Sequence, residues 1–73
     1  MMNTENYELA ALLAKNAADE QEAIEGYLEL LPKIMSADDI AVIKEIISDE
    51  KNHAMKLAQM ALKYDGNIVM AND

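Results

Sequence analysis

Two carboxylates, Glu20 and Glu50, interrupt stretches of the chain that repeat apolar residues at helical spacing, and a third ionisable side chain, His53, follows close on the second. His53 follows Glu50 by three residues in the unit Glu50-Lys51-Asn52-His53, so on a helix both side chains lean over the same turn. A buried carboxylate without a partner costs several kcal/mol, and the chain has no Arg to neutralise Glu20 or Glu50. Lys51 and Lys56 fall off the Glu50 stripe. A divalent cation bound by the two carboxylates and the imidazole resolves both costs together.

The number of ligands sets the stoichiometry. One chain offers two Glu and one His, too few for a dinuclear centre and a poor match to a closed zinc site of four N or S donors. Two chains related by a twofold axis offer four Glu and two His, a set found in dinuclear carboxylate bundles. Its four negative charges balance two divalent cations. Oxygen-rich ligation with one imidazole per metal suits iron, two ions per dimer, or manganese, although the affinity order alone favours copper or zinc. Tyr27 is expected in the core, where its hydroxyl can also donate to a metal-bound carboxylate. The six Met are expected as core filler rather than as soft ligands.

Two helices must bring these residues together. The first is expected over about 4–31. Asn3 or Thr4 can cap it, Glu5 and Glu8 favour its first turns, and Pro32 ends or kinks it. Gly26 weakens its interior without breaking it. The second is expected over about 37–64, started by Ser36 with Asp39 in a capping-box arrangement and stopped at Asp65-Gly66-Asn67, with a loose tail over 65–73. The inward stripe of the first helix reads Leu9, Leu13, Asn16, Glu20, Ile24, Tyr27, Leu31, Ile34. That of the second reads Ile40, Ile43, Ile47, Glu50, Ala54, Leu57, Ala61, Tyr64. Glu20 lies eleven residues before Leu31 and Glu50 thirteen after Ala37. At about 1.5 Å per residue these are similar heights above the connection, so an antiparallel hairpin puts the two carboxylates level.

Composition narrows the partners. A chain of 73 residues without Cys buries little apolar surface by itself, and with disulfides excluded it is expected to rely on self-association, a metal or both. A net charge of −8 repels phosphate backbones and anionic lipid, so neither nucleic acid nor a membrane is an expected partner. No apolar run reaches membrane-spanning length and no signal peptide opens the chain, which makes a cytoplasmic location the default. The fold class expected is all-α, an antiparallel hairpin that dimerises into a four-helix bundle.

Two segments carry a family resemblance. Asp19-Glu20-Gln21-Glu22-Ala23-Ile24-Glu25-Gly26-Tyr27 resembles the first-helix segment of bacterioferritins and rubrerythrins, and Asp49-Glu50-Lys51-Asn52-His53-Ala54 resembles their Glu-x-x-His-Ala segment. The nearest pattern is that of the encapsulated ferritins, half-ferritin hairpins of the ferritin-like superfamily that build a di-iron site across a dimer. The resemblance covers about residues 7–64. It implies a ferritin-like bundle, Glu20, Glu50 and His53 as iron ligands with catalytic roles, Asp19 and Glu22 at an iron entry site, and Tyr27 beside the centre. It also implies ferroxidase activity, Fe2+ being oxidised by O2 or peroxide. The family adds a further C-terminal helix and a shell-targeting peptide. Residues 66–73 match neither, so a protein-shell host, a nanocompartment location and a ring of dimers rest on the resemblance alone. Rubrerythrins carry a Cys site and an additional ligand Glu; here Cys is absent and Ala23 occupies the turn after Glu20. Two other readings are a di-manganese or di-iron enzyme that handles peroxide, and a metal-free helical oligomerisation module.

Overall fold

A computed structural model describes residues 4–65, and all their regular structure is helical. Helix α1 spans Thr4–Leu30 and helix α2 spans Ala37–Asp65. Between them Leu31–Lys33 forms a single 3₁₀ turn around Pro32. Proline has no N–H to continue the α-helical ladder and crowds the turn before it, so α1 ends one residue earlier than the sequence pattern suggests. Ile34 is extended (φ −94°, ψ 130°), and its N–H donates to the Leu31 carbonyl at 3.2 Å.

The start of α2 is built as the sequence implies. Ser36 Oγ accepts a hydrogen bond from the Asp39 backbone N–H at 3.3 Å, and the Ser36 carbonyl accepts from Ile40 N at 3.0 Å. Asp38 and Asp39 lie in the first turn, where the helix dipole favours negative charge. α2 extends one residue past the expected Tyr64. The Asn3 cap and the tail beyond Asp65 lie outside the described residues.

The helices run antiparallel as a slab one helix thick, with principal extents of 55 × 20 × 12 Å. Four residues of the described chain are buried: Ala10 and Ile24 on α1, Ile47 and Ala61 on α2. They belong to one heptad row on each helix, Ala10-Ala17-Ile24-Leu31 and Ile40-Ile47-Ala54-Ala61. Ala10 and Ala61 line one cavity and Ala17 and Ala54 another, which shows the register. Alanines therefore fill the seam at the open end, and Ile24 and Ile47 fill it nearer the turn.

The second helix uses the expected stripe throughout. In α1 the seam is displaced at its N-terminal half: Leu9 is 39% exposed and Asn16 is exposed, while Ala10 is buried and Ala17 half-buried. Ala10 and Ala17 face Ala61 and Ala54, and small side chains on both sides let the helices close together. A leucine in the same row would hold them apart. Leu9 and Asn16 are accordingly turned to the flank.

A slab of this kind has two broad faces. One carries the groove of about 680 Å³ lined by Tyr7, Ala10, Ala11, Ala14, Ala17, Ala58, Ala61, Leu62 and Asp65. On the opposite flank of each seam lie Leu13, Glu20, Ala23 and Tyr27 of α1 and Ile43, Ile46, Glu50, Leu57 and Tyr64 of α2, all half-buried. No described helix is long and apolar enough to cross a membrane.

Candidate metal centre

The larger groove holds no cluster of ligating groups; the chemistry is on the other face. Glu20 and Glu50 occupy the same heptad row on their respective helices, one row away from the buried seam. Each is half-buried because the hairpin covers one side of it and nothing among the described residues covers the other. The Glu50 side chain is 21% exposed and that of His53 55%, in keeping with His53 lying one row further out.

One ligand atom from each of Glu20, Glu50 and His53 lies within 4.8 Å of the others. His53 Nδ1 is 3.7 Å from Glu50 Oε1, a consequence of their separation by three residues on α2. Glu20 reaches the pair from α1. The level placement expected from the sequence is thus what the fold delivers: two helices, antiparallel, with carboxylates thirty residues apart in sequence brought to one height.

The electrostatics are those of a site short of positive charge. A side-chain hydrogen bond with Glu50 is the main reason the Glu20 carboxyl is held above its ordinary value of 4.5. Partial desolvation and the Glu50 and Asp19 charges push the same way, and His53 opposes them. A carboxylate neighbour disfavours the charged form of Glu20. A cation in the same place would supply the missing charge and favour that form.

The remaining candidates are placed differently. Asp19 is exposed and pairs with Lys15, Nζ to Oδ2 3.4 Å, on the outer side of α1. It acts on the site only through its charge on Glu20. Glu22 is exposed, on the same outer side, and is outside the ligand group. Tyr27 is half-buried, two turns from Glu20 in the same row, and also outside the group. Ala23 was not singled out as a site position by its residue type, because a methyl group has no chemistry of its own. Its place on the carboxylate face, half-buried, comes from the heptad phase alone.

No protein-family model, curated protein or solved structure matches the chain. The functional reading therefore stands on the residues and their geometry.

Proposed function

We propose that this chain is a ferroxidase-type iron protein whose centre forms between two copies. Two hairpins pack through their carboxylate faces into a ferritin-like four-helix bundle, and Glu20, Glu50 and His53 of each copy hold two iron ions. The single observation that carries the reading is the convergence of these three side chains, from two helices, to within 4.8 Å. Their chemistry fits a divalent ion: carboxylate oxygens and one imidazole, with the Glu20 carboxyl held above its ordinary value where positive charge is needed.

The same face supports dimerisation. Leu13, Tyr27, Ile43, Ile46, Leu57 and Tyr64 are half-buried around the carboxylates, and Leu9, Leu30 and Met60 on the flanks are 39–45% exposed. Among the described residues no large side chain is fully buried. A second copy on this face would finish a core the single chain leaves half-built. It would also bring the ligand set to four Glu and two His.

Two iron ions held by Glu20, Glu50 and His53 of both copies would supply one electron each, enough with two protons to reduce one O2 to peroxide. The protein's part is to hold and exclude. Glu20, its carboxyl held above the ordinary value, would give up its proton to a bound cation, and with Glu50 it would supply negative charge that favours the higher oxidation state. His53 contributes a neutral donor. The surrounding Leu, Ile and Tyr side chains limit water at the site. Acidic surface, at a net charge of −8, raises the local concentration of cations.

Anaerobic titration with Fe2+ followed by O2 tests the proposal. Two irons per dimer, with ultraviolet absorbance of Fe3+ rising on oxygen addition, is the expected result. Failure to bind Fe2+, Mn2+ or Co2+, with unchanged thermal stability in their presence, would return the chain to a metal-free oligomerisation module.

A further inference from the structure

The two helices repeat one pattern at an offset of thirty residues. Ala17, Glu20, Ile24 and Tyr27 on α1 match Ile47, Glu50, Ala54 and Leu57 on α2 in heptad row and in facing the seam or its carboxylate flank. Because the helices are antiparallel, this amounts to an approximate twofold axis passing between Glu20 and Glu50. His53 and Ala23 are partners under it: each lies three residues after its carboxylate, on the same face, one turn to either side of the axis.

The partners differ in what they place beside the carboxylate. On α2 an imidazole sits 3.7 Å from Glu50. On α1 the corresponding residue, three after Glu20, is Ala23, whose methyl carries no donor atom. Ala23 is half-buried on the carboxylate face of the hairpin. In the register that levels Glu20 with Glu50, Ala23 lies level with Ile47, which is buried, and one turn before Tyr27, which is half-buried. One side of the centre is thus filled by a ligand, and its symmetry equivalent is left small and largely apolar.

We infer that Ala23 keeps one coordination position at each metal open for a small exogenous ligand, a neutral diatomic, peroxide or a small anion. The inference rests on the metal reading above and adds to it the position at which the oxidant meets the centre. Ala23 acts by its size; it makes no bond to metal or oxidant.

Azide is a suitable probe, with Co2+ as the metal because its visible spectrum reports coordination number. The full chain loaded with Co2+ is expected to bind azide saturably, with a change in its visible bands. Ala23→His restores the missing imidazole: Co2+ should bind at the same stoichiometry and at least as tightly, while azide affinity falls by about tenfold or more. Ala23→Val fills the space without adding a donor, and should weaken azide similarly with no gain in Co2+ affinity. Ala23→Gly should bind azide as the parent does. The Val variant decides the matter if the His variant does not fold, as judged by helical circular dichroism. Unchanged azide affinity in folded, Co2+-loaded Val or His variants overturns the inference while leaving the metal centre standing. Parent protein that binds Co2+ but not azide does the same. Parent protein that takes up no Co2+ overturns the metal reading and this inference with it.

Discussion

Glu20 on α1 and Glu50 on α2 bring carboxylate oxygens within 4.8 Å of each other across the hairpin, and the Glu50 side chain holds the Glu20 carboxyl above its ordinary value while His53 opposes it. An acidic chain under no other constraint would keep such groups apart on its surface. Their confinement on the inner flank of both helices makes the apo hairpin sensitive to protons and to cations in the same place.

The proton dependence has a definite sign. The folded-state pKa of Glu20 is raised above its ordinary value of 4.5. The native state therefore binds more protons than the unfolded state between those two values. The stabilising contribution is fully present below the unfolded pKa and is lost as pH rises through the folded one. Metal-free protein should become less stable, relative to a Glu20→Gln variant, as pH rises from about 4 into the neutral range. Thermal melts of both proteins across that range check this; a difference that does not vary with pH would show that the protonation of Glu20 has no effect on folding.

Metal reverses that loss. Divalent ion in free concentration about a hundred times its Kd should stabilise the folded protein by about 2.7 kcal/mol for each site, since only the folded state assembles the ligands. Glu50→Ala should abolish stoichiometric iron binding, and His53→Ala should weaken it while leaving the helices intact, because the His53 side chain is 55% exposed. Elemental analysis after gel filtration and melts with and without Fe2+ read both. Full iron retention by the Glu50 variant would remove that residue from the ligand set.

Ile47 is one of four buried residues in the described chain, and it sits in the wider half of the seam. Ile47→Ala should cost about 2–5 kcal/mol. With so small a core, that loss is expected to abolish cooperative unfolding of the apo protein in urea. Met35, 96% exposed in the connection, is the control: Met35→Ala should change stability by less than about 0.5 kcal/mol.

Ser36→Ala removes the hydrogen bond that Ser36 Oγ accepts from Asp39 N, and should destabilise by about 1 kcal/mol in urea unfolding.

Gly26→Ala carries the opposite sign. Gly26 is exposed within α1, and a Cβ there would meet nothing within 4 Å. Helix propensity alone should therefore stabilise the protein by about 0.5–1 kcal/mol. Urea melts that show no gain, or a loss, would indicate that this surface of α1 is covered in solution.

Much of this was legible in the residues before any fold was known. Proline at 32, serine at 36 and the spacing of Ile, Leu and Glu along 37–64 specify two helices and a tight connection, because caps, breakers and periodicity act locally. The Glu50–His53 pair follows from three residues of helix, and the level match of Glu20 and Glu50 from counting rises on either side of the turn. What the residues by themselves misplaced was the N-terminal half of the α1 seam. Leu9 ranks above Ala10 in hydrophobicity, and only the alanines facing it on α2 select Ala10 and Ala17 for the interior. Close approach is a property of two helices together, so neither helix alone could declare it. Helical spacing already set Glu20, and not Asp19 or Glu22, on the inward stripe; what the tertiary structure decided is how closely Glu20 approaches Glu50 and His53, with ligand atoms within 4.8 Å and its carboxyl raised by Glu50. That approach depends on the rotation of α1 about its axis, which packing against α2 sets.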